Sequence, residues 1–219
     1  MIILFLGPPG CGKGTQARML AKKKAIPVIS TGDLLRSKLN DSVSALVRES
    51  MSSGALVPDE IVVSILADRI SKKDCENGFI LDGFPRSWQQ VIQFENMLNK
   101  INRSVGLAFN FIIDEELLIK RISGRFSCDS CGAIYNKFFN STNKEGVCDS
   151  CGSLNFLTRI DDNEEILKNR LGFYNSENLK ILDFYKKNNL LISIDAVKDI
   201  EIIYKQIVSY CELGGIINA

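Results

Sequence analysis

The segment over residues 7–15 has the residue types and spacing of a phosphate-binding loop. It reads Gly-Pro-Pro-Gly-Cys-Gly-Lys-Gly-Thr and follows the apolar run of residues 2–6. Glycines let such a loop bend so that several backbone N–H groups point into one cavity, and a following helix adds partial positive charge there. Lys13 would reach the outer phosphates, and the hydroxyl of Thr15 or a near neighbour would face a magnesium ion. The pattern predicts a phosphate ligand but no particular reaction, and a merely glycine-rich tight turn is the alternative.

Four cysteines form two C-x-x-C pairs with the spacing of a zinc site. Cys128 and Cys131 are followed, after 16 residues, by Cys148 and Cys151. A closed shell of four thiolates leaves no open position on the ion, so a metal bound here is expected to be structural. Free surface thiols, a redox pair and a zinc ribbon for nucleic acid are the alternatives.

Arginines recur at the expected strand ends, at the boundaries of the cysteine segment and on helix faces near them. A guanidinium group holds phosphate oxygens through two parallel hydrogen bonds and neutralises charge without giving up a proton. Phosphoryl transfer needs alignment and charge neutralisation more than covalent help, so it suits a chain that contains no histidine. Any one of these residues could instead be an ordinary surface arginine. The candidates are Arg36, Arg86, Arg121, Arg125, Arg159 and Arg170.

Carboxylates follow two of the expected strands. Asp82 ends a buried apolar run, which is the position of an acid that holds magnesium through water, although a helix cap or a turn is also possible. Asp33 could cap a helix or bind water on the magnesium ion, and both readings stay open. Asp161 and Asp162 are expected to be hinge and cap residues, with Asp162 and Glu165 resembling a capping box.

Length and composition favour one α/β unit with a small insert. The chain has 219 residues, 45% hydrophobic and 24% charged residues, and a formal net charge of +1, so no overall field favours nucleic acid or an anionic membrane surface. No stretch approaches the roughly 18 apolar residues of a membrane span. Seven cysteines, an odd number, without an export signal favour reduced thiols and a cytoplasmic location.

Expected strands and helices alternate along most of the chain. This order predicts a mostly parallel sheet covered by helices on both faces, with ligands at the carboxyl ends of the strands. Arg121 and Arg125 would share one helix face if the helix after Asp114 runs that far. The segment from about 124 to 161 lacks a long periodic run and is interpreted as the metal-stapled insert. Strands are expected at 2–6, 26–30, 78–82, 107–113 and 190–194, and helices at 16–23, from about 33, 42–51, 61–70, 87–99, from 114, 163–187 and 200–211.

Taken in order, these motifs resemble those of the adenylate kinase family, in its long form with a zinc-bearing lid. The resemblance covers essentially the whole chain. It rests on the loop at 7–15, Ser-Thr-Gly-Asp at 30–33 with Arg36, Leu-Asp-Gly-Phe-Pro-Arg at 81–86, the four-cysteine insert, and Thr-Arg-Ile-Asp-Asp-Asn-Glu-Glu at 158–165 with Arg170.

The resemblance implies a P-loop kinase fold with a central parallel sheet flanked by helices. It divides the single unit into a core (1–29, 58–123 and 162–219), an AMP-binding helical flap (30–57) and a small zinc lid (124–161), both of which should close over the nucleotides. The implied reaction is ATP plus AMP giving two ADP, reversibly, with Mg²⁺ bound to ATP and one structural Zn²⁺ per chain. A monomer is expected, with no nucleic-acid or membrane partner.

The resemblance also implies roles for individual residues. ATP contacts are implied for Gly10, Cys11, Gly12, Lys13, Gly14, Thr15, Arg121, Arg125, Ile134, Tyr135 and Lys198. AMP contacts are implied for Thr31, Arg36, Ala55, Leu56, Val57, Gly83, Phe84, Pro85, Arg86, Gln90, Arg159 and Arg170, with a cis peptide bond at Phe84-Pro85. The catalytic set is Lys13, Arg86, Arg121, Arg125, Arg159 and Arg170, with Asp82 on the metal. Another nucleoside monophosphate kinase, a GTP-dependent relative and, less favoured, a zinc-ribbon protein that binds nucleic acid are the alternatives.

Overall fold

A five-stranded parallel sheet forms the centre of the protein. The computed structural model describes residues 1–37, 44–158, 162 and 164–217. Its strands, in chain order, are β1 (Ile2–Leu6), β2 (Val28–Ser30), β3 (Phe79–Asp82), β4 (Val105–Ile112), β5 (Arg125–Cys128), β6 (Ile134–Asn136), β7 (Phe156–Leu157) and β8 (Leu191–Asp195). The central sheet has the order β2-β3-β1-β4-β8, and every neighbouring pair is parallel. This confirms the predicted α/β class.

Side chains of β1 alternate between two hydrophobic clusters, one on each face of the sheet. Ile2, Leu4 and Leu6 belong to one cluster, while Ile3 and Phe5 belong to the other. All five are buried, which is why the strand reads as a continuous apolar run in the sequence. Burial on both faces fixes the register, since a slip of one residue would exchange the two sets. The strand therefore delivers the phosphate loop to one defined place.

Helices cover both faces of the sheet. They are α1 (Lys13–Lys24), α2 (Thr31–Ser37), α3 (Ser44–Ser53), α4 (Asp59–Ile70), α5 (Trp88–Lys100), α6 (Glu115–Ser123), α7 (Glu164–Lys187) and α8 (Ile200–Ile217), with a short 3-10 helix at Lys73–Cys75. Within the described residues, no helix combines the length and apolar character needed to cross a membrane. The helix expected at 42–51 begins at Ser44 in the described part of the chain, and residues 42 and 43 lie outside it.

The cysteine-rich insert contains a small antiparallel sheet. Its strand order is β6-β5-β7, and Phe126 on β5 pairs with Tyr135 on β6. The rings of Phe126, Tyr135 and Phe156 pack together, with centroids 5.3–5.9 Å apart. These three rings and the buried Cys128 and Cys148 make up almost all of the interior of this sheet.

Arg121 and Arg125 were expected to share one helix face if the helix after Asp114 reached Arg125, and the helix does not reach it. Helix α6 ends at Ser123, and Arg125 is the first residue of β5, so the two arginines do not share a helix face. Gly124 lies between the two elements. A Cβ atom at Gly124 would lie 2.7 Å from Cδ2 of Phe138, so the turn is packed too closely for a side chain there. The helical spacing therefore ends at Ser123, two residues before Arg125.

Candidate active site

A cavity of about 520 Å³ opens at the carboxyl ends of the central strands. Its volume lies within the range that accommodates small ligands. The phosphate loop follows β1, the middle strand, where the chain switches from one half of the sheet to the other. The predicted nucleotide-site residues that the structure describes all line this cavity: Gly10, Cys11, Gly12, Lys13, Gly14, Thr15, Thr31, Arg36, Ala55, Leu56, Val57, Asp82, Gly83, Phe84, Pro85, Arg86, Gln90, Arg121, Arg125, Ile134, Tyr135, Arg170 and Lys198. Arg159 lies outside the described residues.

The phosphate loop depends on glycine at two positions in particular. Gly7 has φ +142°, and a Cβ atom there would lie 2.9 Å from the carbonyl oxygen of Phe111 on β4. Gly12 precedes α1 in a left-handed conformation with φ 98° and ψ 5°. A side chain is disfavoured at both places, so the loop can turn tightly and present the N-terminus of α1 to the cavity.

The side chain of Lys13 lies within the loop. Its Nζ donates hydrogen bonds to the carbonyl oxygens of Gly7 at 2.9 Å and Pro8 at 2.7 Å. Lys13 is 8% exposed, so the ammonium group is shielded from bulk water and its field inside the cavity is strengthened. The amine is thus held where an anion on the loop would meet it.

Asp82 lies at the end of β3, beside the start of α1. A Cβ atom on Gly14 would lie 3.0 Å from Oδ2 of Asp82, which measures how closely the carboxylate approaches the loop. Asp82 pairs in register with Phe5 of β1 on one side and Ser30 of β2 on the other. Carboxylate and hydroxyl oxygens are the ligands that Mg²⁺ prefers, so Asp82 and the nearby Thr15 fit a magnesium site.

Two arginines approach the cavity from the side of the insert. Nη1 of Arg121 donates to the carbonyl oxygen of Cys11 at 3.4 Å, and partial burial lowers the pKa of the Arg121 guanidinium. Arg125 forms a two-point contact with Asp162, whose Oδ2 accepts from Nε at 2.8 Å. The side chain of Asp162 is 1% exposed, so it acts as a buried counter-ion of Arg125. The sequence analysis predicted a cap at Asp162 and not this contact.

The opposite end of the cavity is formed by α2 and the segment after β3. The hydroxyl of Thr31 donates to the carbonyl oxygen of Gly83 at 3.0 Å, which ties the start of α2 to that segment. Asp33 lies within α2, and its Oδ1 accepts from Nη2 of Arg36 at 2.5 Å. The peptide bond Phe84-Pro85 is cis, as the resemblance implied.

Gln90 is held by hydrogen bonds at both ends of its side-chain amide. Its Oε1 accepts from the backbone N–H of Arg86 at 2.7 Å, and its Nε2 donates to Oδ1 of Asp59 at 2.7 Å. The other carboxylate oxygen of Asp59 accepts from the hydroxyl of Ser87 at 2.8 Å. Asp59 is the first residue of α4, and no spacing pattern in the chain links it to Gln90.

The four cysteines of the insert form one cluster. Their sulfur atoms all lie within 4.8 Å of one another, and the Sγ atoms of Cys128 and Cys151, and of Cys131 and Cys148, are 3.6 Å apart. A zinc–sulfur distance of about 2.3 Å places the sulfurs of a tetrahedral site about 3.8 Å apart, so the cluster fits a four-thiolate zinc ion. The structure therefore confirms the prediction that these four cysteines lie together.

Tyr135 connects the cysteine cluster to the cavity wall. Its hydroxyl lies 3.3 Å from Sγ of Cys148 and accepts from the backbone N–H of Asp149 at 2.9 Å. The hydrogen bond from Tyr135 is the largest of several contacts that together lower the pKa of the Cys148 thiol to about 6. Since Tyr135 also lines the cavity, one side chain belongs to both sites.

Comparison with known proteins relates the whole chain to one family. The sequence model described as Adenylate kinase matches residues 5–190. The chain is 43% identical to an adenylate kinase of Methanosarcina barkeri over 209 residues, which cover 94% of this chain and 96% of the relative. It is 40% identical to an adenylate kinase of Archaeoglobus fulgidus, covering 97% of this chain and 98% of the relative. It is also 40% identical to one from a Geobacillus species, covering 99% and 100%.

Replacing Tyr135 with Phe tests the connection between the cluster and the cavity wall. We expect the substitution to keep the stacked rings but to leave the backbone N–H of Asp149 without its acceptor, at a cost of about 1–3 kcal/mol. Amide hydrogen exchange followed by mass spectrometry should show faster exchange in the peptide that contains Asp149. Tyr210→Phe, at a tyrosine that is 37% exposed on α8, is the control. Equal exchange in the Tyr135 variant and the native protein would contradict this account of the hydroxyl.

Proposed function

The chain belongs to the adenylate kinase family, and we propose which of its residues carry out the reversible transfer of a phosphoryl group from ATP to AMP, giving two molecules of ADP. One observation carries the residue assignments. Lys13 and arginines from α2, α6, β5, α7 and the segment after β3 line the same cavity as the phosphate loop. The triphosphate of ATP and the phosphate of AMP, which must meet end to end, need such a distribution of cations.

The donor nucleotide is assigned to the phosphate loop and the insert side of the cavity. Backbone N–H groups of the loop and the N-terminus of α1 bind the ATP phosphates, and Lys13 reaches the outer ones. Arg121 and Arg125 approach the same phosphates from the insert side. The adenine of ATP lies beside Ile134, Tyr135 and Lys198, and the full donor set is Gly10, Cys11, Gly12, Lys13, Gly14, Thr15, Arg121, Arg125, Ile134, Tyr135 and Lys198.

The acceptor nucleotide is assigned mainly to α2, the segment between α3 and α4, the segment after β3 and the first turn of α5. Arg36 and Arg86 bind the phosphate of AMP, and Gln90 meets its base. The proposed acceptor set is Thr31, Arg36, Ala55, Leu56, Val57, Gly83, Phe84, Pro85, Arg86, Gln90, Arg159 and Arg170, of which Arg159 belongs to the undescribed part of the chain.

Transfer follows from alignment and charge neutralisation. The acceptor phosphate oxygen attacks the terminal phosphorus of ATP in line, the bond to the bridging oxygen breaks, and the negative charge passes to the departing ADP. No histidine base is available in the sequence, and none is required, since the attacking phosphate oxygen is already an anion. The proposed catalytic set, which lines up and neutralises the transferring group, is Lys13, Arg86, Arg121, Arg125, Arg159, Arg170 and, at the metal, Asp82.

A magnesium ion bound with ATP fits the oxygens of Thr15 and Asp82. Such an ion neutralises charge on the β- and γ-phosphates and fixes their orientation. Asp82 would hold it, directly or through water, and its own position is fixed by its register between Phe5 and Ser30. The carboxylate thereby links the donor site to the central sheet.

The four-cysteine cluster is proposed to hold one structural zinc ion per chain. Its four sulfurs complete a tetrahedron, so no position is left for a substrate. The proposed units are a core (1–29, 58–123 and 162–219), an AMP-binding flap (30–57) and this zinc lid (124–161), and closure of flap and lid would exclude water from the phosphoryl group. Thiols that remain reduced support a cytoplasmic location, and we retain a monomer as our proposal.

A panel of acceptors tests the proposed substrate preference directly. We expect ADP formation from MgATP with AMP to exceed that with UMP, CMP or GMP by at least about 100-fold in kcat/KM, since a base-specific polar site rejects mismatched edges strongly. Formation of both products is followed by chromatography, and GTP is compared with ATP as the donor. Equal use of the acceptors, or no ADP from ATP and AMP, would contradict the proposed substrates.

Replacement of Lys13 with Ala tests the role of the loop amine. We expect kcat to fall by about 100-fold or more, because an interaction that strengthens in the transition state is lost in a water-poor site. Lys22→Ala, an exposed residue on α1, serves as the matched control. The melting temperature of each variant shows whether the fold is retained, and a near-native rate in folded Lys13→Ala would refute the assignment.

Replacement of Cys128 with Ser tests whether the cluster is structural. We expect about one zinc ion per chain in the native protein and less in the variant, together with a lower melting temperature. Activity measured well below the melting temperature should change much less than stability. Asp129→Asn, an exposed residue between two of the cysteines, is the control. An unchanged metal content and melting temperature in the Cys128 variant would show that the thiols hold no structural ion.

A further inference from the structure

We propose that Asp59 fixes the orientation of the Gln90 side-chain amide and thereby makes the acceptor site select adenine over 6-oxopurines, the class that includes guanine and hypoxanthine. The proposal rests on the assignment of Gln90 to the base of AMP under the proposed function. It gives Asp59 the role of a positioning residue, because Asp59 acts on the base only through Gln90.

The two partners of the Gln90 amide impose the same orientation. An amide carbonyl and an amide NH₂ have nearly the same shape, so only the partners decide which way the group points. An ionised carboxylate accepts hydrogen bonds and donates none, so Asp59 requires the NH₂ at its Oδ1. The backbone N–H of Arg86 only donates, so it requires the carbonyl. A reversed amide would place its carbonyl against the carboxylate of Asp59 and its NH₂ against the backbone N–H of Arg86. Both contacts are 2.7 Å long in the structure, so both would become repulsive.

Asp59 is itself held in place from its other side. Its Oδ2 accepts from the hydroxyl of Ser87 at 2.8 Å, and the same hydroxyl accepts from the backbone N–H of Gln90 at 3.0 Å. Asp59 is also the first residue of α4, where a helix stabilises negative charge. The carboxylate therefore connects the start of α4 to the start of α5 and cannot turn away from Gln90 without losing both contacts.

The orientation determines which base edge the amide can match. Its contacts with Asp59 and Arg86 use one of its two N–H groups and one of its two acceptor positions, which leaves one of each. Adenine presents a 6-amino donor next to the N1 acceptor, which complements this arrangement. A 6-oxopurine presents an oxygen acceptor next to an N1–H donor, which complements only the reversed amide.

The surroundings of Gln90 strengthen this selection. Gln90 is 2% exposed, and the wall of the same cavity includes the apolar residues Leu35, Val57 and Val62. Water cannot easily satisfy a mismatched base edge in such a place, so a mismatch leaves polar groups unpaired. The base also cannot turn over to match, because its phosphate is assigned to Arg36 and Arg86 and its sugar sets which edge faces Gln90.

The test compares AMP with IMP, which differs at position 6 and N1 of the base alone. In Asp59→Asn the new NH₂ can donate to the carbonyl of a reversed Gln90, so only the backbone N–H of Arg86 still opposes the reversed orientation. We expect the ratio of kcat/KM for AMP to kcat/KM for IMP to fall at least about tenfold, through a higher KM for AMP and a lower KM for IMP. The KM for ATP should stay within about twofold of the native value.

The ratio distinguishes positioning from a purely structural effect. Both nucleotides are measured on one preparation, so an inactive fraction of the protein lowers both kcat/KM values equally and leaves their ratio unchanged. Asp59→Ala, which removes the acceptor without adding a donor, is the second variant and should also lower the ratio. Glu60→Gln removes the same charge from the same helical turn at an exposed side chain and should leave the ratio unchanged. A parallel loss for AMP and IMP in both Asp59 variants would overturn the proposal.

Gln90→Leu separates this proposal from the function on which it rests. If Gln90→Leu keeps the native AMP/IMP ratio and the native KM for AMP, Gln90 does not meet the base, and both the assignment and the proposal fail. If Gln90→Leu lowers the ratio while Asp59→Asn and Asp59→Ala keep the native value, the assignment stands and the proposal alone is overturned. A lowered ratio in all three variants supports both.

Discussion

Several cations share one cavity in this protein, and their mutual repulsion is the constraint on which the arrangement of the site depends. Several of them are held by acceptors within the protein. Lys13 donates to the carbonyls of Gly7 and Pro8, Arg86 donates to the carbonyl of Gly83, and Arg125 is paired with the buried Asp162. Charge-assisted hydrogen bonds of this kind fix the direction of each cation. In the proposed reaction the phosphate oxygens of the nucleotides meet cations that are already placed around the cavity, so little reorganisation is needed during transfer.

The central sheet can hold these cations in place because its strand register is set by apolar burial and not by the charged residues of the site. Alternate residues of β1 enter separate hydrophobic clusters on the two faces, which fixes where Gly7 begins the loop. The parallel pairing of β1 and β3 places Asp82 beside Phe5 at the same edge. Apolar burial therefore supplies the position, and the polar residues beyond the strand ends supply the chemistry, which is why both could be recognised separately in the sequence.

Local patterns in the sequence predicted the parts of the site that one segment specifies alone. The loop at 7–15, the strand ending at Asp82 and the cysteine cluster each carry their own spacing, and each lies where it was expected. The contacts that the sequence did not predict join distant segments through single side chains: Arg125 with Asp162, Gln90 with Asp59, and Tyr135 with Cys148. Neither helical nor strand periodicity in the sequence indicates such a pair. Each of the two residues can be explained locally, as a cap, a turn or a core residue. Arg125 shows the same limit, since the change from α6 to β5 at Gly124 was not predicted from the sequence.

The two nucleotide ends of the cavity are made rigid in different ways, and the difference follows from how much core each can bury. The acceptor end rests on α4 and α5, whose apolar faces belong to the main core, so a single carboxylate at Asp59 suffices to orient a recognition group between them. The insert has only a few aromatic rings and two buried cysteines inside it, too little apolar surface to hold its strands firmly. We propose that zinc coordination by the four cysteines, together with the hydrogen bond accepted by the Tyr135 hydroxyl, fixes this small sheet where hydrophobic burial cannot. On this proposal, cysteine and tyrosine chemistry positions the insert side of the cavity, while a carboxylate anchored in an ordinary protein core positions the other end.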